Sequence, residues 1–152
     1  MSAVNSKTIA RCPYRILFVL PPERERISSH SVVFSDAGFE INIAMFNDVD
    51  EENAKQLYAD IMRDWKHNLV CVIFPPLDFY TPWFKNSRLP SGSGGIRDFL
   101  LYFKNAGITI QAVEMNWDGP FEDKISISES AIEHILKIAR GCVEDGACRS
   151  RD

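Results

Sequence analysis

The chain has 152 residues, 45% of them hydrophobic, enough for one domain that buries roughly two thirds of its unfolded surface without a metal or disulfide framework. Its net charge of -4 comes from 17 basic and 21 acidic residues mixed along the chain, which leaves no basic stripe for duplex nucleic acid. The start, Met1 to Arg11, is polar, no run approaches the about 20 apolar residues that cross a bilayer, and Cys12, Cys71, Cys142 and Cys148 form no C-x-x-C pair; the expectation is a cytoplasmic protein with reduced thiols, no metal and no membrane contact.

Residues 1–13 read as a polar arm. Arg15–Leu20 is apolar and reads as the first strand, stopped by Pro21 and Pro22. A helix is expected from Glu23 to Ala37, closed by Gly38, because the left-handed turn after a helix costs least without a Cβ. Phe39–Ala44 alternates apolar and polar residues and continues through Met45 and Phe46, the pattern of a second strand with one less buried face. From Glu51 the spacing of Ala54, Leu57, Tyr58, Ile61, Met62 and Trp65 is that of an amphipathic helix.

Leu69–Phe74 is a continuous apolar run, read as a strand buried on both faces. It breaks at Pro75 and Pro76 and opens into a loop of about twenty residues, long for a strand-to-helix connection, holding Phe79, Tyr80, Trp83 and Phe84. Ile96, Phe99, Leu100 and Phe103 then form a helical stripe closed by Gly107, and Ile108–Val113 supplies a fourth strand. A loop, Met115–Pro120, leads to Lys124–Ile127, a short edge strand. Ser126 with Glu129, or Ser130 with Glu133, offers a capping box for a last helix that carries Ile132, Ile135, Leu136 and Ala139 to a stop at Gly141. Residues 142–152 read as a flexible tail, and 14–141 as a single α/β domain. Strands alternating with helices imply a three-layer α/β/α sandwich on a parallel sheet of four to five strands in flavodoxin-like order 2-1-3-4.

Ligands in such sheets sit beyond the carboxyl ends of the strands, so Leu20–Pro22, Phe74–Pro76 and Glu114–Asn116 should converge. The aromatic loop has three readings: ordinary core, a partner surface in which Trp, Tyr and Arg88 are hot-spot residue types, or a platform that stacks a planar small ligand beside Lys85 and Arg88. Trp117 joins it as a binding candidate. Ser91, Gly92, Ser93, Gly94 and Gly95 precede a helix and offer backbone N–H groups to an anion. They lack a P-loop lysine, and that helix start is expected on the side opposite the strand ends. Asp78, Glu114 and Asp118 could meet at one rim and bind a cation, with solvated loop acids as the alternative. His30, His67 and His134 read as surface or capping residues. No activated nucleophile, metal set or acid–base pair stands out, so a protein partner or self-association is expected rather than catalysis or a cofactor.

The order of elements over about residues 14–140, with Arg15–Val19 spaced from Gly38–Ile41 and with Asp123–Ala131 entering the last helix, resembles the receiver domain of bacterial two-component response regulators. That resemblance implies phosphotransfer to an aspartate beside Mg²⁺, with carboxylates after strand one. Here Leu20, Pro21 and Pro22 stand at the first strand end, Phe74 and Pro75 at the third, and Ala112–Glu114 where a hydroxyl is needed at the fourth; of the family's functional positions Lys124 is matched. It therefore implies a pseudo-receiver, a regulatory signalling fold kept for contact. A second resemblance, of Val72–Tyr80 and Ala112–Asn116 to the prolyl-cysteine and glutamate–asparagine motifs of cytosine-5 DNA methyltransferases, implies binding of S-adenosylmethionine or a nucleotide near Asn47 and Asp48. Leu77 occupies the place of the catalytic Cys, so that relative would be inactive.

Overall fold

The computed structural model describes residues 14–20, 26–27, 31–46, 51–77, 95–117 and 124–146. In chain order these form β1 (Tyr14–Leu20), β2 (Arg26–Ile27), α1 (Ser31–Asp36), β3 (Phe39–Met45), α2 (Glu51–Trp65), β4 (Leu69–Phe74), α3 (Ile96–Asn105), β5 (Thr109–Ala112), β6 (Asn116–Trp117), β7 (Lys124–Ser126) and α4 (Glu129–Glu144).

The main sheet has four strands in the order β3-β1-β4-β5, every pair parallel. This is the expected 2-1-3-4 order and follows from periodicity. On β1, Ile16, Phe18 and Leu20 join one apolar cluster while Leu17 and Val19 join another, because successive side chains of a strand point to opposite faces. Between β1 and β4 the register steps from Arg15↔Leu69 to Ile16↔Cys71, so Val70 is an extra residue, and it joins the same cluster as Cys71.

The first cluster is closed by Phe34 of α1 and by Ile132, Ile135, Leu136, Ala139 and Cys142 of α4. The second is closed by Ala54 and Ile61 of α2 and by Ile96, Phe99, Leu100 and Phe103 of α3. Two helices therefore cover each face, giving three layers. The second face is rich in rings: Phe46 lies 4.8 Å from Phe99, Phe99 5.2 Å from Phe103, and Phe103 4.9 Å from Tyr58. Such pairs add about 0.5–1.5 kcal/mol beyond their buried area.

Four expectations are corrected. Of the helix expected over 23–37, the described residues form α1, while Arg26–Ile27 form β2, which pairs with β7. The short strand after Lys124 is not an edge of the main sheet: β2, β7 and β6 make a separate three-stranded sheet, parallel between β2 and β7 and antiparallel between β7 and β6. The cap of α4 is neither Ser126 nor Ser130 but Ser128, whose Oγ accepts the Ala131 N–H at 3.2 Å. Ile127 and Ile132 flank that cap and both enter the first cluster, the arrangement of a hydrophobic staple. Finally α4 runs past Gly141 to Glu144, because Cys142 is 9% exposed and its thiol reaches Thr109 Oγ1 at 3.4 Å. Gly38 and Gly107 do stop α1 and α3, with φ of 93° and 84°.

Candidate functional site

The carboxyl ends of the central strands meet as expected. Phe46 donates its N–H to the Leu20 carbonyl and Val113 to the Phe74 carbonyl, both at 2.8 Å, which carries the strand ladder to one common end. The chain direction across the sheet reverses between β1 and β4, and that switch point is where open α/β sheets take ligands. Here it is apolar: Leu20 is fully buried, Val113 is 5% and Phe74 9% exposed, and Pro75 is buried beside them. Both central strands run into a proline pair, Pro21–Pro22 and Pro75–Pro76. Proline has no N–H, so the residues that directly follow these two strands offer no backbone donor of the kind with which such sites hold phosphate.

Two structures close over these ends. On the α1 and α4 side, Met115 before β6 and Ile127 after β7 are 5% and 3% exposed and lie in the cluster that holds Val113, which ties the small sheet to the end of the large one. On the α2 and α3 side, Leu77 packs against the second cluster and Gly95 is buried at the start of α3. The two described ends of the 75–95 loop are thus anchored at the sheet's carboxyl end. Phe79, Tyr80, Trp83, Phe84 and Arg88 lie outside the described residues, as do Lys85, Asp78, Asp118 and His30; Trp117 is placed on β6 by its backbone. Glu114, His67 and His134 are exposed.

Of the anion candidates, Ser91, Gly92, Ser93 and Gly94 lie outside the described residues. Gly95 is the N-cap of α3 with φ 81° and makes no side-chain cap bond; its carbonyl accepts the Phe99 N–H at 3.0 Å. The start of α3 is on the same side as the strand ends, contrary to expectation. Phe99, in its first turn, stacks on Phe46 at the end of β3. The physical reason is the crossover itself: a helix joining two parallel strands runs antiparallel to them and begins where the first strand ends.

The one polar cluster of the sheet that organises charge, among the described residues, lies at the opposite end and was not singled out from the sequence. Arg15 Nη1 donates to Glu40 Oε2 at 2.8 Å and to Asn42 Oδ1 at 3.0 Å, and the guanidinium stands 5.2 Å from the centre of the Trp65 ring. The backbone N–H of Arg15 donates to the Asn68 carbonyl at 2.8 Å, so β1, β3 and the α2–β4 turn are tied at one residue. Strand alternation could have found it, since residue 15 shares a face with Leu17 and Val19 and a charge there needs partners. An open groove of about 620 Å³ runs along α4, lined by Glu133, Leu136, Lys137, Arg140, Gly141 and Glu144. No group of three or more His, Cys, Asp or Glu side chains suited to a metal occurs among the described residues, and none of their helices is long and apolar enough to cross a membrane. No protein-family model, curated protein or solved structure matches the chain.

Proposed function

We propose that this chain is a non-catalytic regulatory or protein-interaction module of pseudo-receiver kind, acting in the cytoplasm, whose contact with a protein partner runs through residues 75–95. The observation that carries the proposal is the make-up of the switch point. Where a ligand-binding α/β sheet keeps carboxylates or bare backbone N–H groups, this one has Leu20, Phe74, Pro75 and Val113, all buried. Side chains of this kind neither ligate Mg²⁺ nor accept a phosphoryl group. The loop that leaves from this end combines Phe79, Tyr80, Trp83 and Phe84 with Arg88, residue types that dominate binding hot spots. Long loops on a rigid scaffold are a usual place for function.

Trp83→Ala tests the proposal. A hot-spot side chain contributes mainly when the partner desolvates it, so the substitution should leave the denaturant midpoint nearly unchanged while binding to the partner, identified by cross-linking from position 83, weakens at least about tenfold. A loss of about 3–5 kcal/mol in stability with binding unchanged per folded molecule would make the loop core. A rise in melting temperature with S-adenosylmethionine would replace the proposal by a ligand-binding one, since a ligand at 100 times its Kd stabilises by about 2.7 kcal/mol.

A further inference from the structure

We infer that the outer edge of β3 pairs antiparallel with β3 of a second copy of this chain, about a two-fold axis through Asn42, joining two four-stranded sheets into one. This surface is separate from the 75–95 loop and does not depend on the function proposed for it.

Strand β3 is an end strand of the sheet, seven residues long, Phe39–Met45. Its register with β1 runs unbroken from Tyr14↔Phe39 to Leu20↔Met45, so no bulge twists the edge away. The donation from Phe46 N–H to Leu20 fixes which backbone groups face β1. In a parallel ladder they belong to every second residue, here Phe46, Ala44, Asn42 and Glu40. The N–H and C=O groups of Phe39, Ile41, Ile43 and Met45 then point outward, and no described strand lies beyond them.

Natural edges are blunted by short length, Pro, bulges or charge. The opposite edge, β5, is four residues long. Among β3's residues the one charge is Glu40, and Arg15 holds it at 2.8 Å. Large exposed apolar side chains occur on β3 and beside it. Of the four large apolar side chains more than two-fifths exposed among the described residues, Met45 lies on β3, Tyr14 has its ring 6.3 Å from Phe39, and Val33 sits on α1, which leads into β3.

A second copy is the occupant because the strand is complementary to itself. A two-fold interface places residue i opposite j and j opposite i. With the axis at Asn42, the F-E-I-N-I-A-M sequence sets Ile41 opposite the partner's Ile43 and Phe39 opposite the partner's Met45. These are the residues whose backbone groups face out, so each such pair exchanges two hydrogen bonds. Asn42 meets the partner's Asn42 amide to amide, with its Oδ1 already positioned by Arg15. Glu40 falls opposite the partner's Ala44, so no like charges confront each other, a juxtaposition that destabilises cross-strand pairs.

Sedimentation equilibrium of the full chain over about a hundredfold concentration range reads the outcome directly. The native chain should pass from monomer to dimer. Met45→Pro removes an outward N–H from an exposed position and no bond to β1, and should move the midpoint at least about tenfold higher. Ala44→Glu, opposite the partner's Glu40, should weaken the dimer, whereas Ala44→Lys at the same site should hold or tighten it. Thermal unfolding of each variant confirms that it is folded. A monomer at every concentration, a dimer indifferent to Met45→Pro, equal effects of Ala44→Glu and Ala44→Lys, or a dimer lost with Trp83→Ala but not with these variants would each overturn the inference.

Discussion

At the amino-terminal end of the sheet Arg15 is held by Glu40, Asn42 and the Trp65 ring, whereas at the carboxyl end the same strands finish in Leu20, Phe74 and Pro75, all buried. Parallel sheets ordinarily place their reactive groups at the second of these ends. Among the described residues the organised charge is at the first, where it is spent on tying β1, β3 and α2 together, and the strand ends at the second are buried and apolar. The contrast teaches that position in the fold does not by itself make a site. What matters is whether the side chains there can hold charge in water's absence.

The largest expected effect lies at the carboxyl end. Phe99 is fully buried and stacks on Phe46 and Phe103, so Phe99→Ala should cost about 3–5 kcal/mol in denaturant unfolding. A cost below about 1 kcal/mol would mean that this end can collapse or fill with water, as a ligand cleft would. At the amino-terminal end, Arg15→Met should cost only about 1–2 kcal/mol. Its charge-assisted bonds are discounted because the Glu40 side chain is 48% exposed and such pairs are screened by solvent. Arg15→Lys should restore less than half of that loss, since an ammonium cannot reproduce the planar fork or its stacking on Trp65. Equal stability of Arg15→Met and the native chain would show the clamp to be inert. Smaller still, Ser128→Ala should cost about 1 kcal/mol, while Ser126→Ala and Ser130→Ala stay within about 0.5 kcal/mol; urea midpoints of the three variants separate them.

The main sheet was legible because its elements are long and periodic. Leu69–Phe74 has no polar residue, Phe39–Met45 alternates, and Ala54, Leu57, Tyr58, Ile61, Met62 and Trp65 repeat at helical spacing. What escaped is short or non-local. Glu23–Arg26 has the composition of a helix start, yet Arg26–Ile27 pairs with Lys124–Ile125, and such distant pairing overrides local propensity. Strands of two or three residues, like β2, β6 and β7, carry no period to read. Three serines alternate over 126–130, and the choice of Ser128 was settled by burial of Ile127 and Ile132 rather than by capping chemistry, which all three offer. The convergence of Leu20, Phe74 and Val113 was legible from strand order. The start of α3 falls beside the strand ends because a crossover helix runs against its strands, and Arg15 carries no local signal because its partners Glu40, Asn42 and Trp65 are 25 to 50 positions away.

Whether the carboxyl end is core or chemistry is read most directly by intact-mass measurement after incubating the folded chain with acetyl phosphate and Mg²⁺. With Leu20, Pro21, Phe74 and Pro75 at these strand ends, where phosphotransfer to an aspartate would need carboxylates, the mass should remain that of the unmodified chain. A stable added phosphoryl group, mapped to an aspartate beside these strand ends, would contradict the account.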